Sequence, residues 1–229
     1  MGRRVDIGAP ELMLGGALVA AAALTWNFFS GSGGSVQPTG TDPGSSGLTS
    51  DWATADLEKL ISFGNALQLT DPTIPLRVWA NESDNKATAH NPNGDASGLF
   101  QLMPSTAAGL GWDTSSDPTL ANFRALSVSD QLDWALRYYA PHAGQLNSVA
   151  RFYVANFLPA LLSDADNPSF NLTGALGSQG DAVYSANSSF DTAGKGYITP
   201  ADLVAASVRA TGPRTNELIG RLQALLGVA

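Results

Sequence analysis

Glu82 is the residue of this 229-residue chain whose setting equips it best for chemistry. It follows an apolar run, Pro75 to Ala80, whose Leu76, Val78 and Trp79 predict the buried face of a short helix, with Pro75 tolerated in its first turn. Glu82 then falls near the C-terminal end of that helix, where the macrodipole is negative and apolar surroundings disfavour ionisation. Both effects keep a proton on the carboxyl near neutral pH, as a general acid requires. Downstream, Gly98-Leu99-Phe100-Gln101-Leu102-Met103-Pro104-Ser105-Thr106-Ala107 forms a polar turn opened by glycine. One carboxylate facing such a turn points to cleavage of a glycosidic bond.

Other side chains invite a chemical reading and are better explained without one. Asp84, Asp95 and Asp113 are candidates for a second catalytic carboxylate but read as solvated loop acids or caps. His90 and His142 have no second ligand nearby in sequence and read as ordinary hydrogen-bonding histidines. Trp79, Trp112 and Trp134 read as core residues rather than sugar platforms. The stretch Asp191 to Asp202 is spaced like an EF-hand calcium loop, with Gly196 and Ile198 at the turn and hydrophobic positions, yet Ala193 and Lys195 stand where oxygen ligands belong. It is predicted to be a degenerate, metal-free turn in which Lys195 supplies the charge of the missing ion. No metal and no cofactor are expected.

The ordered set Glu82-Ser83, Ala89-His90-Asn91-Pro92, Ala96-Ser97-Gly98-Leu99-Phe100-Gln101 and Met103 to Ala107 resembles the lytic transglycosylases with a goose-type lysozyme-like domain. Phe152-Tyr153-Val154-Ala155-Asn156-Phe157-Leu158-Pro159-Ala160 resembles the third segment of that family in its phage-associated form. Two departures stand out: Asp84 and Asn85 replace a small residue and Phe, and Phe100 replaces the commoner Met, a nearly volume-conserving change. The resemblance implies a lysozyme-like α+β fold, mainly α. It also implies peptidoglycan as substrate and scission of the MurNAc–GlcNAc β-1,4 bond with formation of a 1,6-anhydro ring. Glu82 would be the catalytic acid and base, and Ser83 would orient it or the substrate. Gly98, Leu99 and Gln101 would line the subsite, Tyr153 would hydrogen-bond near the acid, and Asn91 would hold the cleft loop. A hydrolytic lysozyme and an inactive wall-binding protein of the same fold are the alternatives.

The elements that must position these residues read as helices. Leu57, Leu60, Ile61 and Leu67 recur at helical spacing behind Asp51 as N-cap. Ser127 to Asp130 opens a helix as a capping box whose stripe is Leu132, Ala135, Leu136 and Tyr139. Asn147 is predicted to cap Ser148 to Phe157, and Asn216 to Val228 forms a closing amphipathic helix with Leu218, Ile219, Leu222, Leu225 and Leu226. Strand signals are poor and no repeat is present.

Three regions divide the chain. Residues 1–29 contain Leu12 to Phe29, 18 residues without a charge and with Trp26, Phe28 and Phe29 at the distal end. That stretch is predicted to be a transmembrane anchor behind Arg3 and Arg4, in preference to a cleaved signal peptide. In residues 30–50, 17 of 21 are Gly, Ser, Thr or Pro, a linker that cannot fold and spans about 25 Å. Residues 51–229 form the catalytic domain. The single-pass topology places that domain outside, on a periplasmic face or in a virion membrane, with virion membrane or capsid components as further partners and genome entry of a phage as one setting. A net charge of −8 argues against nucleic acid, whose affinity rests on Lys and Arg. It argues equally against electrostatic attraction to an anionic wall. With no cysteine there is no disulfide framework and no thiolate metal site.

Overall fold

The computed structural model describes residues 51–91 and 94–228. The predicted anchor and linker lie outside the described residues, among which no helix is long and apolar enough to cross a membrane. The described chain is mainly helical. Its helices are α1 (Thr54–Ala66), α2 (Ile74–Ser83), α3 (Pro104–Gly109), α4 (Ala121–Arg124), α5 (Val128–Tyr139), α6 (Val149–Phe157), α7 (Gly180–Asn187), α8 (Pro200–Ala210) and α9 (Pro213–Leu226), with short 3-10 turns between them. Extended pairing among the described residues is limited to two isolated bridges, His90 with Ser97 and Ser97 with Leu102.

Helix α2 lies at the centre, packed against α6, α8 and α9, while α1 lies along α5. Its sequence explains that place: Ile74, Leu76, Val78 and Trp79 are all buried, an apolar surface too wide for a helix with one face in water. Trp79 donates to the Tyr139 hydroxyl at 3.4 Å and packs near Phe63 and Phe152, so one aromatic cluster joins α1, α2, α5 and α6. Tyr139 stacks on Phe152 with ring centroids 4.4 Å apart and donates to the Asn156 side-chain oxygen.

Two cap assignments and one helix boundary are corrected. Ala53, not Asp51, precedes α1, and its N–H donates to Asp56 at 2.8 Å, whereas Asp51 pairs with Arg214. Ser148, not Asn147, caps α6 by accepting from Arg151 N at 3.1 Å; the Asn147 amide instead accepts from Thr70 N at 2.8 Å and ties the chain before α2 to that before α6. The closing helix begins at Pro213, and only Leu218, Ile219 and Leu222 of its stripe are buried, Leu225 and Leu226 being exposed. Ser127 does cap α5, accepting from Asp130 N at 3.0 Å, and Leu132, Ala135 and Tyr139 face the core.

Helix α2 ends abruptly. Asp84 and Asn85 both adopt left-handed backbone, with φ of 54° and 56°, and their N–H groups close on Ala80 O and Trp79 O. Asp and Asn tolerate that conformation better than other side-chain-bearing residues, which gives a local reason for the pair where the resembled family has other residues. Asn85 is fully buried, donating to Leu76 O at 3.1 Å and Thr215 Oγ1 at 3.0 Å while its carbonyl accepts from the Trp52 indole at 2.9 Å. It pins α2 to α9. Only Asp84 of the two reaches the cleft wall.

The loop before α8 has the shape its spacing implied. Gly194 and Gly196 take positive φ, and the Lys195 ammonium donates to both carboxylate oxygens of Asp202 at 2.6 Å, with Asp191 at 4.0 Å. Asp202 also accepts from Thr199 N, and Thr199 accepts from Asp202 N, a capping box that starts α8. The lysine charge thus sits between the first and last acids of the loop.

Candidate active site

The last turn of α2 delivers Glu82 to the wall of a cleft of about 650 Å³. Asn81, Ser83, Asp84 and Lys86 line it from the end of α2 and the turn beyond; Phe190, Ala206 and Arg209 line it from α8 and the segment before it. Glu82 itself is only 1% exposed. Burial pushes its carboxyl up to about 8, against the smaller opposing influence of Tyr153 and Asn81. Among the described residues neither carboxyl oxygen has a partner at ordinary hydrogen-bond geometry. Tyr153 and Asn81 stand beside the carboxyl and favour its ionised form, but desolvation outweighs them and decides the protonation state.

Tyr153 is fully buried, and its hydroxyl accepts from the Asn81 amide at 2.6 Å beside Glu82. Burial first, and then the Glu82 charge, push its phenol well above the ordinary tyrosine range, so it stays a neutral donor. Tyr138, pushed up by burial and by the same carboxylate, also lies within reach of that charge. A carboxylate at Glu82 would meet these rings and hydroxyls with no cation in hydrogen-bond contact.

Ser83 faces inward. Its hydroxyl donates to Leu99 O at 2.7 Å and contacts Trp79 O at 3.1 Å, fastening the glycine-opened turn to the end of α2. The turn is held from its other side by Gln131 of α5, whose side-chain oxygen accepts from Leu99 N at 2.9 Å. The Gln131 amide donates to Ala87 O at 2.8 Å and Phe123 O at 3.0 Å. Gly98 has φ of 78°, and a Cβ there would stand 2.5 Å from the Gln131 side-chain oxygen and 2.7 Å from the Phe123 ring. Glycine is demanded by both conformation and space. Gln131 escaped sequence reasoning although a signal existed: a glutamine between Val128 and Leu132 on an otherwise apolar helical stripe.

Asn91 is buried, with its N–H on Ala96 O at 3.1 Å and its carbonyl accepting from Gly94 N at 3.2 Å, so it closes the turn of the loop between α2 and the glycine segment. Gln101 is placed differently from the subsite role. Its amide folds back onto Gly98 O at 2.9 Å, and it lines a separate cavity of about 20 Å³ with Phe100, Tyr138 and Asn156. There the Gln101 Oε1 acceptor and the Asn156 Nδ2 donor are both without a partner among the described residues. Glu82, Ser83 and Tyr153 are thus brought together, with Gly98 and Leu99 one hydrogen bond behind Ser83; Gln101 is not on the Glu82 cleft wall.

The remaining candidates fall away from the chemistry. Asp113 accepts from Ser115 and Ser116, whose hydrogen bonds hold its carboxyl below the usual range. Asp84 is bound to Lys86 at 2.9 Å. Trp79 is wholly buried, and Trp112 and Trp134 pack edge to face 5.2 Å apart. His142 is half-buried, which pulls its imidazole down. His90, read from sequence as ordinary, does line the cleft and meets the Arg124 guanidinium at 3.3 Å. Arg209 and Phe190, distant in sequence from Glu82, were not legible as cleft residues.

Together these features define a mainly helical domain with one buried, protonated carboxyl on the wall of an open cleft. No family model matches the chain, and no curated protein or solved structure matches it either.

Proposed function

We propose that this chain is a peptidoglycan lytic transglycosylase of the goose-type lysozyme-like kind, cleaving the β-1,4 bond between N-acetylmuramic acid and N-acetylglucosamine without adding water. One observation carries the reading: the cleft presents a single carboxyl that is buried and holds its proton up to about pH 8, while the other acid in its lining, Asp84, is engaged by Lys86 as part of a helix cap. Glycosidases that use water normally need two carboxylates in separate roles at a set distance. A reaction with one carboxyl needs a nucleophile carried by the substrate, and the C6 hydroxyl of the muramyl ring supplies it.

Glu82 would act twice. As acid it gives its proton to the glycosidic oxygen, so the C1–O bond breaks and the leaving sugar departs as an alcohol. The carboxylate so formed, costly in its apolar site, then takes the C6 hydroxyl proton as that oxygen closes on C1. The site returns to the protonated state it favours. Tyr153 and Asn81 stabilise the transient charge, and Ser83 with Leu99 fixes the turn that faces it. The apolar stretch Leu12 to Phe29 and the linker beyond it support a membrane-tethered wall enzyme, of a cell envelope or of a membrane-bearing virion.

Asp84, lining the same cleft, favours hydrolysis by a lysozyme as the second reading. Replacing Glu82 by Gln should abolish wall lysis under either reading while the fold persists, and the chemical nature of the new glycan ends separates them. Lysis retained by Glu82→Gln would remove Glu82 from the chemistry altogether.

A further inference from the structure

The chain carries a net charge of −8, yet the lining of its cleft does not share that sign. Lys86 stands on one side, answered by Asp84 at 2.9 Å. On α8, Arg209 is exposed at the cleft and has no ion pair among the described residues. Its guanidinium is the uncompensated charge of the cavity. The His90 ring adds a further polar group, backed by Arg124. A carboxylate is the group such an unpaired guanidinium matches best, because the planar fork of Arg meets its two oxygens. In peptidoglycan the carboxylates lie on the peptide attached to the muramic lactyl group, next to the bond to be cut.

Resting on the transglycosylase reading above, we propose that Arg209 receives a carboxylate of the stem peptide. The enzyme then acts on strands whose stem peptides carry free carboxylates in preference to strands whose peptide carboxyls are capped as amides. The fold gives Arg209 a fixed post. Helix α8 is started by the Thr199–Asp202 box with Lys195 upon it, and is fastened to α2 by Ser207 Oγ donating to Arg77 O at 2.6 Å. Arg209 follows two residues later on a helix so anchored, while Ala206 lines the cleft one turn earlier. A chain whose overall charge repels an anionic wall thereby keeps one local point of attraction at the groove, exposed and so open to screening by salt.

The test uses the full chain and two substrates, glycan strands with their stem peptides and the same strands with every peptide carboxyl capped as an amide, since stripping by an amidase would leave a free lactyl carboxylate on each muramic residue. The wild type should show a kcat/KM about tenfold higher on the strands with free peptide carboxylates, a preference that declines with salt. Arg209→Gln should erase it through KM, and Arg209→Lys should keep a measurable part. Co-sedimentation of Glu82→Gln with the two kinds of strand repeats the comparison without chemistry, and adding Arg209→Gln should remove the difference. Equal treatment of the two substrates by the wild type, or an Arg209→Gln loss of the same size on both, overturns the proposal. A binding preference for strands with free peptide carboxylates without any cleavage upholds the role of Arg209 and sinks the transglycosylase reading; cleavage without preference does the reverse.

Discussion

Glu82 makes a quantitative prediction because its environment favours one protonation state. Below the ordinary carboxyl value of 4.5 the group is protonated in both folded and unfolded chains and costs nothing. From there to about 8 the unfolded chain ionises it and the folded chain does not, so stability falls as pH rises and the loss is complete above about 8. At about 1.4 kcal/mol per pKa unit the window is worth on the order of 5 kcal/mol. Glu82→Gln does not titrate, so its melting temperature should rise relative to wild type as pH goes from 4 to 9, by denaturation curves collected in matched buffers. A difference independent of pH would mean that Glu82 is solvated. The same shift predicts that kcat/KM for lysis falls on the alkaline side with a midpoint near 8. The buried setting of this carboxyl was legible from the apolar run before it. The partners of Ser83 were not, because they depend on where Leu99 and Gln131 arrive in three dimensions.

At the scale of elements, periodicity located most helices and missed what happens at their ends. The stripe of α5 was readable, since Leu132, Ala135 and Tyr139 repeat on one face, and the cap at Ser127 lay directly before it. Asn147 and Ser148 are both good caps by type, and the choice between them depended on Thr70, far away in sequence, needing an acceptor. Asn85, in the sequence only a departure from the resembled pattern, proved to be a buried clasp between α2 and α9, with left-handed backbone at the helix end. The loop from Asp191 to Asp202 was legible in outline, since glycines and acids at fixed spacing constrain the backbone whether or not an ion is present. Lys195 bound to Asp202 predicts that calcium leaves the melting temperature unchanged. The variant Ala193→Asn with Lys195→Asp should instead gain about 2.7 kcal/mol at a hundredfold excess over its dissociation constant. A calcium-dependent rise in the unmodified chain, lost on Asp191→Ala, would contradict the role given to Lys195.

The whole molecule combines a helical domain centred on α2 with an N-terminal region of different composition. Helix α2 is surrounded because it must be: both its apolar breadth and the aromatic cluster at Trp79 demand partners on several sides. Sequence patterns announce that such a helix is buried but not which helices cover it, so the part of the cleft made by α8 and Arg209 stayed hidden. The composition break near Asp51 predicts that residues 51–229 fold and remain in aqueous buffer alone, while the full chain enters the membrane fraction through Leu12 to Phe29. Fractionation followed by N-terminal sequencing checks this, and full-length chain recovered uncleaved from the aqueous fraction would contradict the anchor. The central claim concerns how the glycan is cut, and its most direct measurement is mass analysis of the ends released from purified peptidoglycan in water enriched in oxygen-18. A transglycosylase leaves 1,6-anhydromuramyl ends, lighter by one water and free of label, from the wild type and none from Glu82→Gln. Reducing muramic ends that carry the heavy oxygen would show that water is the nucleophile and would contradict the account.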